Sequence, residues 1–125
     1  MKKILLFVCI ITAYISVNAQ QQEAIISSFE TGNIDKLAQF FDENVDLTVL
    51  STEGIYSRTQ SKVILKNFFS TNTPASFKLE HQGGSESSKY IIGSLVSNEN
   101  SYRVYFLYKK SGDYFKIQKI RIEND

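Results

Sequence analysis

Ser28-Phe29-Glu30-Thr31-Gly32-Asn33-Ile34-Asp35-Lys36-Leu37-Ala38-Gln39-Phe40-Phe41 is the stretch on which the fold turns. Leading into it, Ile25, Ile26 and Phe29 recur at the i, i+3 and i+4 spacing of one helix face. Gly32 ends that helix, because glycine tolerates the left-handed conformation that follows a last turn. Asn33 is a capping residue for a second helix. Asp35 falls in its first turn, where the macrodipole favours an anion. Ile34, Leu37, Phe40 and Phe41 form its apolar stripe, and Asp42 and Glu43 read as its polar end. The stretch therefore predicts two helices with a very short joint.

Downstream, Val45 to Leu50 alternates, with Val45, Leu47 and Val49 facing one way and Asp46 on the polar parity. Thr52-Glu53-Gly54 is a turn, and Ile55 and Tyr56 begin a second short strand. Ser57-Arg58-Thr59-Gln60 matches a capping box. A third helix follows, with Val63, Ile64, Leu65 and Phe68 as its buried residues. It should stop near Thr71, since the residue before Pro74 favours extended backbone.

The second half reads as antiparallel sheet. Phe77, Leu79 and His81 share one parity, and Lys78, Glu80 and Gln82 the other. Lys89 to Val96 is strand-like, and Ser97-Asn98-Glu99-Asn100 is a turn. Tyr102, Val104, Phe106 and Tyr108 alternate, and Lys110-Ser111-Gly112-Asp113 closes a hairpin. Phe115 and Ile117 change parity to Ile120 and Ile122, which predicts a bulge near Gln118. The order is α-α-β-β-α-β-β-β-β, an α+β arrangement.

The N-terminus has the three parts of a secretory signal. Lys2 and Lys3 are its basic region, Ile4 to Ile11 its apolar run, and Val17-Asn18-Ala19 its cleavage site. The apolar run is too short for a membrane span, which needs about 20 residues. Residues 1–19 thus read as a signal peptide and 20–125 as one domain, exported to the periplasm or exterior of a Gram-negative bacterium, with no membrane span left after cleavage. The glutamines Gln20 to Gln22 read as a polar leader. Cys9, the only cysteine, lies in the apolar run and not at the cleavage point, where a lipoprotein would need it. The remaining domain has no disulfide, no thiol nucleophile and no Cys-based metal site.

Without Lys2 and Lys3 the chain carries 12 basic and 13 acidic residues, a formal net charge of −1. The charge is uneven: Gln20 to Tyr56 holds seven acids and one base, and Ser57 to Asp125 eleven bases and six acids. Lys109, Lys110, Lys116, Lys119 and Arg121 crowd the last hairpin. Interleaved with aromatic residues they are compatible with single-stranded nucleic acid. Export and the near-neutral charge favour a solvated basic sheet face instead, with no nucleic-acid partner.

The stretch from Ser28 to Phe41 resembles the opening of NTF2-like proteins, in which a helix, a Gly-Asn or Gly-Asp joint and a second helix ending in Phe precede the first strand. Tyr56-Ser57-Arg58-Thr59-Gln60, Tyr90-Ile91-Ile92-Gly93-Ser94-Leu95 and Tyr102-Arg103-Val104 resemble a subgroup of short secreted NTF2-like proteins of unknown function. The resemblance implies a cone: a curved, mostly antiparallel sheet wrapped around helices, often with an apolar pocket inside and often dimeric through the sheet. It implies no activity, since this fold hosts isomerases, hydratases, dehydratases, adaptors and inert partners.

No catalytic motif stands out, and no cofactor is implied. A single histidine and a cysteine-free domain do not build the usual zinc ligand sets, so no metal site is expected. His81, Tyr56, Tyr90 and Tyr102 are the candidate pocket or ligand-binding residues. The leading expectation is a non-catalytic binding module that takes a small apolar ligand in the cone, or an envelope protein or second copy on the sheet. The alternative is a pocket isomerase or dehydratase with His81 or a buried Asp as general base.

Overall fold

The computed structural model describes residues 21–98 and 100–125. The expected signal peptide and Glu99 of the expected Ser97–Asn100 turn lie outside them. Helix α1 occupies residues 21–31 and α2 Ile34–Ala38. Strands β1 (Phe41–Val49) and β2 (Thr52–Ser57) form a hairpin, followed by α3 (Arg58–Thr71). Four consecutive strands complete the chain: β3 (Ser76–Gly84), β4 (Ser88–Ser97), β5 (Asn100–Ser111) and β6 (Tyr114–Asn124). The element order is the expected one. No helix among the described residues is long and apolar enough to cross a membrane.

The six strands form one sheet in the order β2-β1-β6-β5-β4-β3. Every pairing is antiparallel except β1 with β6, which is parallel. The last strand of the chain therefore sits in the middle of the sheet and joins the β1–β2 hairpin to the β3–β5 meander.

Local chemistry sets the joints as expected. Gly32 has φ +66°, and the Asn33 side chain accepts from the Lys36 amide at 3.1 Å. At the head of α3 the capping box is complete: the Gln60 amide donates to Ser57 Oγ and the Ser57 amide donates to Gln60 Oε1, both at 3.2 Å. Asp35 on α2 bridges to Lys62 Nζ at 2.6 Å and Lys66 Nζ at 3.0 Å on α3. Hydrogen bonds from Lys62 and then Lys66 hold its carboxyl below the usual carboxylate range.

Three local expectations are corrected. Phe41, Asp42 and Glu43 belong to β1 and not to the end of α2. The Phe40 carbonyl accepts from the Ile117 amide at 2.7 Å and Phe41 pairs with Ile117, so β6 draws the chain out of the helix. The buried stripe of α3 is Ser61, Leu65, Phe68 and Phe69, while Val63 is 53% exposed. The larger Phe69 side chain sets the helix phase. Gln21 and Gln22 are not a free leader but the described start of α1.

The bulge at Gln118 is present: Leu107 pairs with Lys119 and Tyr108 with Ile117, leaving Gln118 as the extra residue. A second bulge was not expected. Leu79 pairs with Gly93 but His81 pairs with Ile92, so Glu80 is the extra residue in β3. Residues directly opposite on antiparallel strands share a face. His81 thus leaves the face of Phe77 and Leu79 and joins the other face with Ile92.

The core lies between the helices and the inner sheet face. Phe29 of α1 is fully buried, with its ring stacked on Phe106 at 5.2 Å and on Phe77 at 5.8 Å. Gly93 makes room for Phe77: a Cβ there would lie 2.3 Å from the Phe77 ring and 2.8 Å from the Lys78 carbonyl oxygen. Burial of one such aromatic side chain stabilises the fold by roughly 1.5–3 kcal/mol.

Candidate functional site

The four candidate residues occupy separate places. Tyr102 is buried, with its ring edge-on to Phe68 at 5.2 Å. Its hydroxyl donates to Asn72 Oδ1 at 2.7 Å, tying β5 to the end of α3. Tyr56 is half-buried on β2 and lies across Gly54, where a Cβ would stand 3.1 Å from its ring. Tyr90 lies on the outer face of β4, packed over Gly83 of β3 and stacked on Tyr105 at 6.2 Å. His81 is exposed on that same outer face. Only His81 and Tyr90 share a surface, and no one cavity joins the set.

The inside of the cone, where the resemblance implies an apolar pocket, is occupied by the protein's own rings. Beyond the Phe77–Phe29–Phe106 stack, Phe106 meets Tyr108 at 6.0 Å and Tyr108 meets Phe115 edge-on at 5.5 Å. The buried polar residues among those described are Ser28, Thr48, Ser61 and Ser97, with no carboxylate or histidine among them. Asp42 accepts from Gln118 Nε2 at 3.1 Å near the surface, and Asp46 lies 3.7 Å from Lys119 Nζ with its side chain 48% exposed.

Among the described residues, two clefts bear on these side chains. At the Gly84 end of the sheet a cleft of about 230 Å³ is lined by Gln22, Gln82, Lys89, Tyr90 and Tyr108. Three of its side chains are linked: Tyr108 Oη donates to Gln22 Oε1 at 3.2 Å, and Gln22 Nε2 donates to Gln82 Oε1 at 2.6 Å. Burial pushes the Tyr108 phenol upward from its ordinary pKa, so it stays a neutral donor.

The second cleft, of about 270 Å³, lies on the outer face over β4, β5 and β6 and is lined by Ile92, Arg103, Tyr105, Lys119, Arg121 and Glu123. The register builds it. Ile92 lies opposite Tyr105, which lies opposite Arg121, and Leu107 lies opposite Lys119. Arg103 faces Glu123 across the strands. The ion pairs here are loose, 4.0 Å from Arg121 Nε to Glu123 Oε1 and 3.7 Å from Lys119 to Asp46. Ile55 on β2 extends the apolar content of this face and is 76% exposed. The signal for the site was the outward parity of Arg103, Tyr105 and Leu107 and of Lys119 and Arg121, masked by the stronger inward pattern on the same strands.

The profile of a family described as a domain of unknown function, DUF4783, matches residues 22–123. Among solved structures, a DUF4783 family protein from Bacteroides uniformis is 27% identical, with a TM-score of 0.79 over 82% of this chain and 95% of that one. A second, from Bacteroides ovatus, is 24% identical, with a TM-score of 0.78 over 82% and 93%. A putative calcium/calmodulin dependent protein kinase II association domain from Xanthomonas campestris shares the fold at 17% identity, with a TM-score of 0.62 over 86% and 84%. An NTF2-like design with a long sheet does so at 16% identity and a TM-score of 0.68 over 83% and 97%. The fold is NTF2-like. A search of curated proteins finds no match.

Proposed function

Since the chain belongs to the DUF4783 family, whose NTF2-like fold names no reaction, we propose that it is an exported, non-catalytic binding module that docks an acidic protein on the outer face of its sheet. The observation that carries the reading is the contrast within one sheet. The inner face is filled by the protein's own aromatic rings, while the outer face presents Tyr90, Ile92, Tyr105 and Leu107, half-buried and flanked by cations.

Half-exposed rings bordered by arginine are the composition of protein-contact surfaces. Charge favours an acidic partner over a second copy. The sheet centre lies between β6 and β5, where Lys119, Arg121 and Arg103 stand. A two-fold axis through that centre would set these cations against their own copies, and like-charge juxtaposition is unfavourable. Against an isomerase or dehydratase stands the chemistry: His81 is on the exposed face, and no carboxylate among the described residues is buried.

The test compares capture of envelope proteins by the processed chain with capture by Ile92→Lys and, on the exposed side of α3, Val63→Lys. Expected is one acidic partner at fixed stoichiometry, lost with Ile92→Lys and kept with Val63→Lys. Equal capture by both variants would overturn the reading. So would a dimer in native mass spectrometry that Ile92→Lys dissociates, or turnover of an isomerase or dehydratase substrate by the purified chain.

A further inference from the structure

We infer that the outer-face cleft reads the spacing of its partner's acids: it is a subsite for an extended segment with carboxylates at alternate positions. This rests on the docking reading above and specifies what the surface recognises. Lys119 and Arg121 are two residues apart on β6 and point the same way, so their stems are about 6.7 Å apart along the strand. That is also the distance between alternate side chains of any extended chain laid along β6. Two carboxylates at i and i+2 meet the two cations in step, whereas adjacent acids point to opposite sides of the segment and only one can reach.

The surroundings fit that occupant. Tyr105 stands directly beside Arg121 in register, with Ile92 on its far side, giving the segment an apolar shelf next to the cations. Arg103 lies diagonal to Arg121, and no carboxylate among the described residues comes within 4.0 Å of it. The acids paired with the cluster are Glu123 and Asp46. Both belong to half-exposed pairs at 3.7–4.0 Å, which exchange readily for a closer incoming carboxylate. Arginine adds a bidentate geometry that a carboxylate matches.

The experiment uses two fluorescent peptides of identical composition with two Glu each, at alternate positions in one and adjacent in the other, titrated with the processed chain by polarisation. Vesicles of phosphatidylglycerol serve as a third probe. Expected is a roughly two- to fivefold preference for the alternating peptide, weakening as salt screens the contacts. Arg121→Gln should remove the preference, and thermal melting should show the variant still folded. Equal binding of both peptides, binding of neither, or retention by vesicles in preference to peptide would each overturn the subsite. The Ile92→Lys capture experiment judges the docking reading separately.

Discussion

The two faces of the sheet are built on the same strands and obey opposite rules. On the inner face, side chains from β3, β5 and α1 interlock around Phe29, and Gly93 is needed so that Phe77 can lie flat. On the outer face, Ile92, Tyr105 and Leu107 are only half-buried, and the cations beside them hold loose pairs. Alternation along a strand lets one sequence carry both: every second residue answers to packing and the residues between are free to answer to something else. Tight packing and partial exposure are thereby separated residue by residue along β5 and β6.

That separation can be broken from either side. Phe29→Ala should cost the most, about 3–5 kcal/mol, because it empties the centre of the aromatic stack. Denaturant melting measures it, and a loss under about 1 kcal/mol would mean the inner face is not the main source of stability. Gly93→Ala should cost about 1–3 kcal/mol by forcing Phe77 and the Lys78 backbone apart. Tyr102→Phe removes the donor to Asn72 and should cost about 0.5–1.5 kcal/mol, read as a lower denaturation midpoint with unchanged slope. Tyr105→Ala on the outer face should leave stability within about 1 kcal/mol while abolishing partner capture. A large loss of stability there would merge the two faces into one core.

The smallest effect belongs to the clamp between α2 and α3. The Asp35 carboxyl titrates below its unfolded value, so the stabilisation it gives is present above the unfolded pKa and fades as pH falls through the lower folded one. Asp35→Asn should lower stability slightly at neutral pH and converge on the parent in acid, flattening that limb in urea melts taken across pH; the difference is small because the pair is largely exposed.

The two bulges show what a sequence can reveal. The bulge at Gln118 leaves a mark because apolar residues flank it: Phe115 and Ile117 keep one parity, Ile120 and Ile122 the other. The bulge at Glu80 leaves none, because Glu80, His81 and Gln82 are all polar and either parity reads alike. The outward turn of His81 therefore leaves no trace in the pattern. The strand state of Phe41 is hidden for another reason: it comes from Ile117, far away in the chain. The joint at Gly32-Asn33 and the Ser57 capping box were legible because their causes are local. The outer cleft was hidden because it exists only where three strands meet in register.

The position of β6 has a consequence for how the molecule comes into being. A ribosome delivers β1 and β2 early and β3 to β5 later, yet neither group pairs with the other directly. Each pairs with a strand that emerges after both and fits between them, its parallel partner having left the tunnel some seventy residues before. Without β6 the sheet is a hairpin and a meander with no backbone hydrogen bond between them, so completing it depends on a pairing of high sequence separation, the kind that forms slowly.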